Sequence, residues 1–169
     1  MTYKFIADDF QPPYLVKEDD FIIRKLSVDE VKKDYKAVMS SKESLRQVFS
    51  INDTWPADDM TIEDNYRDLK SHQDEFDRRE GFAYTVVNKT DTECIGCIYI
   101  WPWNHDNYDS LTFYWVTDKV KKIGFEEVLG KYIDNWLKST WAFKNTLYPG
   151  RNISLLEWQK IGEEIEKNK

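Results

Sequence analysis

Two cysteines, Cys94 and Cys97, stand in a C-x-x-C spacing, which occurs in thiol redox sites and in metal sites. The sequence around them, from Glu93 to Ile100, alternates and is rich in Ile, which is typical of a β-strand. Because side chains alternate along a strand, this spacing predicts that the two thiols lie on opposite faces. Neither a second cysteine pair nor a nearby histidine accompanies them, as a four-ligand metal site would require. We therefore predict two packed thiols, with no disulfide and no bound metal.

Two tryptophans and a histidine, Trp101, Trp103 and His105, follow this strand. The stretch from Trp101 to Ser110 is rich in Asn and Asp, which predicts a loop. Aromatic rings at a strand tip can line a substrate cleft, and an imidazole titrates near neutral pH. We predict these three residues as substrate contacts. Core packing is the alternative for the tryptophans, and plain surface exposure is the alternative for His105.

Most of the negative charge lies between Asp53 and Glu80, where ten acidic side chains stand against four basic ones. An acidic wall beside a cleft attracts a cationic substrate such as an amine. A solvated helix face explains the same residues, and His72 on this helix is expected to face solvent. The net charge of −7 and the sequence pI of about 4.9 exclude a general nucleic-acid binder, which needs a basic face.

The size of the chain, 169 residues, fits one globular domain, and its 41% hydrophobic residues are enough for a core. The longest stretch without a charged residue runs from Cys94 to His105, which is too short to span a membrane. The acidic pair Asp8 and Asp9 interrupts any apolar segment of a signal peptide. We expect a single cytoplasmic domain, over residues 1–169, that binds neither membranes nor nucleic acid.

The elements that position these residues begin with an irregular arm over residues 1–20 and a strand from Phe21 to Leu26. Ser27 and Glu30 form a capping-box pattern, which predicts that a helix starts there. Leu45, Val48 and Phe49 suggest a second short helix, and Thr61 with Asp64 predicts the start of a third.

The spacing of the hydrophobic residues then changes from helical to alternating, which predicts two strands, residues 82–87 and 94–100, that pair as an antiparallel hairpin. A third strand follows from Leu111 to Val116. The amphipathic helix from Phe125 to Trp141 leads to a short strand from Asn145 to Tyr148, and this order implies a right-handed crossover. A last helix starts at Ser154. The prediction is an α/β (α+β) domain in which an antiparallel meander runs into a parallel pair, with helices on both faces.

This order of elements resembles the GNAT acetyltransferase superfamily across roughly residues 21–150. In that family the strand equivalent to Leu111–Val116 and the strand equivalent to 145–148 splay apart, and acetyl-CoA enters the gap between them. The resemblance implies that the pantetheine pairs with the backbone of Tyr114, Trp115 and Val116. It also implies that the pyrophosphate lies at the start of the next helix, where free amides and the helix dipole favour an anion.

The family signature at that helix start is Gln or Arg, two residues, Gly, one residue, and then Gly or Ala. The resemblance assigns cofactor contacts here to Lys121, Lys122, Ile123, Gly124 and Phe125. Glu126 takes the position of the second small residue, so it sets a negative charge near the expected pyrophosphate. Acetyl-CoA is therefore the implied cosubstrate, with a departure at one position of the loop.

The resemblance implies N-acetyl transfer to a small-molecule amine, which needs a base for the amine and an acid for the leaving thiolate. We predict Asp109, just before the strand, as the base and Tyr148, at the end of the last strand, as the acid. Their alternatives are a strand-entry cap for Asp109 and a turn residue packed beside Pro149 for Tyr148. A binding domain without catalysis, or an interaction domain that uses the tryptophan loop, is the rival function.

Overall fold

A computed structural model describes residues 4–169 as a six-stranded sheet covered by helices on both faces. The strands lie in the sheet in chain order, and every neighbouring pair is antiparallel except the last pair, which is parallel. The strands are β1 (Leu15–Lys17), β2 (Phe21–Lys25), β3 (Phe82–Asn88), β4 (Cys94–His105), β5 (Tyr108–Val116) and β6 (Thr146–Leu147). The predicted mixed sheet with a parallel pair at its end is confirmed.

The helices divide between the two faces because strand side chains alternate between them. The fifth helix packs its apolar stripe, including Leu129 and Ile133, against the face that carries Tyr84 and Tyr114. The first three helices pack on the other face, and the last helix joins them through Trp158. The helices are α1 (Val31–Ser40), α2 (Lys42–Leu45), α3 (Ile62–Asp77), α4 (Asp118–Lys121), α5 (Phe125–Ser139) and α6 (Leu155–Lys167). Among the described residues, no helix is long and apolar enough to cross a membrane.

The N-terminal region differs from the prediction in two places. The expected irregular arm ends in strand β1, which pairs with β2 and becomes one edge of the sheet. The predicted capping box at Ser27 is wrong, because Ser27 precedes a short 3-10 turn and its side chain makes no cap hydrogen bond. Glu30 instead accepts a hydrogen bond from Arg24 Nε at 2.8 Å, and its buried carboxylate is satisfied there. The capping boxes of α3 and α6 form as predicted.

The predicted tryptophan loop is a β-hairpin. Strand β4 continues to His105, and β5 begins at Tyr108. Asp106 and Asn107 have positive φ angles of 52° and 69°, the backbone of a two-residue hairpin turn that Asp and Asn tolerate well. Trp101 and Trp103 therefore lie on a strand and not in the predicted loop.

The two cysteines lie on the same face of the sheet, so the prediction of opposite faces is wrong. The register shifts between Val86, which pairs with Gly96, and Val87, which pairs with Cys94. The resulting β-bulge adds a residue to β4 and cancels the alternation between the thiols. Both sulfur atoms and a carboxylate oxygen of Asp34 lie within 4.8 Å of one another, fully enclosed under α1.

Candidate active site

The parallel strands β5 and β6 separate after two paired positions. Ser110 pairs with Thr146 and Leu111 pairs with Leu147, and the Ser110 and Thr146 hydroxyl oxygens lie 2.7 Å apart across the pair. Beyond Leu147 the chain turns away through Pro149, which has no amide hydrogen to continue the ladder. The C-terminal half of β5 therefore has no strand partner on this side, and a gap of about 160 Å³ opens between Phe113, Tyr114 and the 149–151 turn.

The first turn of α5 stands beside this gap. Its N-cap, Gly124, has a left-handed φ of +82°, which glycine adopts without strain. No side chain of the described residues caps this helix end, so the first amides and the positive end of the helix dipole remain available for an anion. Lys121 and Lys122 are exposed on the preceding turn. Ile123 is 80% exposed, and Phe125 packs edge-on against Phe21.

The side chain of Arg151 occupies the gap. Its guanidinium lies 3.6 Å from the centre of the Tyr114 ring, a cation–π contact. The same group donates from Nη2 to the backbone carbonyl of Tyr114 at 3.0 Å and to Glu126 Oε1 at 3.0 Å. The Tyr114 carbonyl is one of the backbone groups that the GNAT resemblance assigns to the pantetheine. Arg151 thus uses the hydrogen bond that the cofactor would need.

Glu126 lies between two cations. Besides Arg151, its carboxylate faces Lys121 Nζ at 3.5 Å, and the side chain is 21% exposed. Without a ligand, Lys121 and Arg151 therefore neutralise the negative charge of Glu126, which stands where the family signature has its second small residue. The free amides of this helix start, the two lysines and Arg151 are donors of the kind that fit a pyrophosphate.

The predicted contacts on β5 point in alternating directions. The Tyr114 ring and Val116 lie on the α5 face, while Trp115 is buried on the opposite face and donates from Nε1 to the Tyr99 hydroxyl at 3.0 Å. Gly130 on α5 leaves the room that Tyr114 needs, since a Cβ there would come within 2.4 Å of the Tyr114 hydroxyl oxygen. Of these three residues, the structure brings the Tyr114 side chain to the gap.

The predicted acid lies where the strands part, the predicted base does not, and each has a structural partner. Tyr148 directly follows the last paired residue of β6, whereas Asp109 precedes the first paired residue of β5, at the other end of the parallel pair, where it lines a separate cavity beside Trp141. Both Asp109 carboxylate oxygens accept backbone amides, from Lys144 at 2.7 Å and from Asn145 at 3.1 Å. The Tyr148 hydroxyl donates to Asp134 Oδ1 at 3.1 Å. Burial and the neighbouring carboxylate raise the pKa of the Tyr148 phenol, so it stays protonated at neutral pH.

A second cavity, of about 250 Å³, lies on the face that α1 and α3 cover. Four aromatic side chains line it together with four polar ones. They are Phe49, Trp55, Tyr99, Trp101, Asp34, Asn65, Asp68 and His72. The prediction that His72 faces solvent is wrong, because its side chain is only 24% exposed and its Nδ1 is buried. Phe49 lies 5.2 Å, centre to centre, from Phe113 at the gap, so the cavity and the gap share a wall of aromatic rings.

The other predicted substrate contacts line a separate cleft between the β4–β5 hairpin and α6. Trp103 packs on Trp158 at 5.1 Å between ring centres, and His105 is exposed with Nδ1 2.9 Å from Asp106 Oδ2. This cleft measures about 490 Å³. The structure therefore places Trp101 apart from Trp103 and His105.

Several site residues were missed in the sequence. Arg151 stands in a turn after β6 and carries no pattern of its own. Phe49 and Trp55 come from an irregular segment, and Asp34 lies within a helix where an acidic residue usually faces water. The one available signal was the helical spacing in α1, where Asp34 shares the apolar face with Ala37 and Val38, three and four residues later.

Sequence comparison and structural comparison give different results for this chain. No protein-family model matches the sequence, and no curated protein matches it. Solved acetyltransferases share its fold. The ribosomal-protein-S5-alanine acetyltransferase from Vibrio fischeri superposes with a TM-score of 0.63 at 13% identity, over 82% of this chain and 75% of the other. The fold is that of the GNAT acetyltransferases.

Two further structures of similar fold were determined with the cofactor. RimL, a ribosomal L7/L12 alpha-N-protein acetyltransferase in complex with coenzyme A, has a TM-score of 0.58 and 14% identity, over 73% of this chain and 68% of that chain. The microcin C7 self-immunity acetyltransferase MccE, in complex with acetyl-CoA and AMP, has a TM-score of 0.58 and 17% identity, over 76% of this chain and 69% of that chain.

Proposed function

We propose that this protein transfers an acetyl group from acetyl-CoA to the amino group of a small molecule. The observation that carries the proposal is the gap between β5 and β6 beside the uncapped first turn of α5. A gap with unpaired strand backbone suits an amide-bearing ligand, and a helix start suits a pyrophosphate. The shared fold with acetyltransferases that bind coenzyme A supports the same interpretation.

The residues assigned to the cofactor are Lys121, Lys122, the amides after Gly124 and the backbone of β5 at Tyr114. Arg151 is added to them, because a guanidinium released from Glu126 matches phosphate geometry. Acetyl-CoA supplies an activated acetyl thioester. The chain's own task is to hold that group in the gap, to bring the amine alongside and to keep water away with the aromatic wall of Phe49 and Phe113.

Proton transfer is assigned to Tyr148, where the strands part, and to Asp109, at the other end of the parallel pair. Tyr148, protonated at neutral pH, is the proposed donor to the leaving thiolate, which requires its hydroxyl to release Asp134. Asp109 is the proposed acceptor of the amine proton, through a water molecule, because both of its oxygens already bind backbone amides.

The test is release of coenzyme A from acetyl-CoA in the presence of polyamines, amino sugars and peptide N-termini, each with a control lacking the acceptor. Acetylation of a small amine supports the proposal, and Tyr148→Phe should then lower kcat more than it changes KM for acetyl-CoA. Acetylation of peptide N-termini alone would contradict the small-molecule acceptor. Turnover of none of these acceptors would contradict transfer.

A cofactor-binding protein without catalysis is the second candidate, and the partners of the two proposed proton-transfer residues favour it. Both Asp109 oxygens already accept backbone amides, and the Tyr148 hydroxyl already donates to Asp134. Thermal stabilisation by acetyl-CoA that grows as RT ln(1 + [L]/Kd), without turnover of any acceptor, would favour this candidate over transfer.

A further inference from the structure

We propose that the cavity between α1, α3 and the sheet binds a small organic cation of the alkylammonium class. The cavity is separate from the cofactor gap and shares an aromatic wall with it. Identification of this cation as the acetyl acceptor, or as a charged part of it, rests on the proposed function.

The walls of the cavity are aromatic. Tyr99 and Trp101 stack on each other with ring centres 5.5 Å apart and an interplanar angle of 15°. Phe49 meets Trp55 edge-to-face at 5.5 Å and packs edge-on against Tyr99 at 5.2 Å, so the four rings form one contiguous wall. An aromatic wall beside a small polar volume attracts ammonium groups through the ring quadrupoles and packs against their alkyl carbons.

The polar groups of the cavity are acidic or neutral. Asp34 lies at its base, where one oxygen accepts from Asn65 Nδ2 at 2.9 Å and the other faces Cys97 Sγ at 3.5 Å. Asp68 stands at the more exposed end. Burial raises the pKa of Asp34 to about 6, so this carboxylate is charged above that pH.

No protein cation balances these carboxylates inside the cavity. The described residues that line it include neither lysine nor arginine. Burial lowers the pKa of His72, so its imidazole is neutral at pH 7, and its buried Nδ1 has no hydrogen-bond partner among the described residues. A bound cation therefore supplies the missing positive charge, and a charged group of the protein does not compete with it.

The size and shape of the cavity limit the ligand. Its volume, about 250 Å³, holds an ammonium head with a short alkyl or aromatic body. The shared wall of Phe49 and Phe113 places such a molecule on the acceptor side of the gap. A long flexible polyamine exceeds the cavity unless most of it extends into solvent past Asp68.

The test is calorimetric titration of the full chain at pH 7.5, without acetyl-CoA, with butylammonium chloride and with 1-butanol as the neutral compound of the same length. We expect saturable binding of butylammonium that is at least tenfold tighter than that of butanol. Asp68→Asn should weaken butylammonium binding at least fivefold, and Trp55→Leu should also weaken it. Asp74→Asn, a matched change on the outer side of α3 where Asp74 pairs with Lys70, should leave the affinity unchanged.

Three results overturn the site, and all of them differ from a failure of the proposed function. Equal binding of butanol would show an apolar cavity without charge recognition, and no saturable binding would show no site. An equal loss of affinity in Asp68→Asn and Asp74→Asn would assign the effect to general surface charge. Cation binding without acetyl transfer refutes only the enzymatic proposal, whereas acetyl transfer without cation binding refutes only this site.

Discussion

Neutralising Glu126 should tighten acetyl-CoA binding, because this carboxylate holds Arg151 in the gap. In the structure Arg151 must leave Glu126, at 3.0 Å, and the Tyr114 carbonyl, at 3.0 Å, before a cofactor can pair with β5. The Arg151 and Glu126 side chains are 32% and 21% exposed, so their ion pair is screened by solvent. We assign it about 1 kcal/mol, the upper end for such pairs.

Glu126→Gln removes this ion pair and keeps the shape of the side chain. If the pair opposes binding, its loss lowers the dissociation constant for acetyl-CoA about fivefold, since 1.4 kcal/mol corresponds to a factor of ten. The matched control is Glu127→Gln, which removes an adjacent charge in the same helix turn without touching Arg151. Both variants lose a similar favourable interaction with the helix dipole, and Glu126→Gln also loses its ion pairs with Arg151 and Lys121, so its free energy of unfolding should fall further, by up to about 1 kcal/mol.

The assay is calorimetric titration with acetyl-CoA, with thermal unfolding of each variant as the control for stability. We expect about a fivefold gain for Glu126→Gln and less than a twofold change for Glu127→Gln. Equal gains in the two variants would show that only the total charge of the helix start matters. A weaker affinity in Glu126→Gln would show that the pyrophosphate does not bind at this helix start and would refute the assignment.

Three other predictions concern the cofactor loop, the thiols and the buried carboxylate. Lys121→Ala combined with Lys122→Ala should weaken acetyl-CoA binding by about 1 to 3 kcal/mol in titrations and leave folding nearly intact. Thiol titration of denatured, unreduced protein should count two free thiols, and a count of zero would show that Cys94 and Cys97 form a disulfide. Burial raises the pKa of Asp34 to about 6, helped by the charges of Asp68 and Glu30 and opposed by hydrogen bonds from Asn65 and Cys97. The native state therefore keeps this proton at pH values where the unfolded chain has lost it. The stabilisation from this proton is therefore fully present below about pH 4 and is lost as the pH rises through about 6. In denaturant unfolding, the free energy of unfolding of the unmodified protein should fall over this range, and that of Asp34→Asn should not show this fall.

Local sequence patterns were sufficient where a short-range rule decides the structure. The capping boxes at Thr61 and Ser154 form as predicted, because each uses a side chain and an amide three residues apart. The amphipathic stripe beginning at Phe125 also predicts α5, whose apolar side chains pack on the sheet. The same pattern at Ser27 failed, because Arg24 on the neighbouring strand binds Glu30.

The sequence alone determined the order of the elements except for the edge strand β1 and the short helix α4, and with it the mixed sheet whose last pair is parallel, because hydrophobic period and chain connectivity leave few alternatives. Only the tertiary structure decided which residues meet. One inserted residue in β4 placed both cysteines beside Asp34, and the turn after β6 delivered Arg151 to Tyr114 and Glu126. The cavity near His72 likewise joins residues from α1, α3, β4 and an irregular segment. Contacts between residues so far apart in the chain depend on register and packing angles, which no local pattern of residue types encodes.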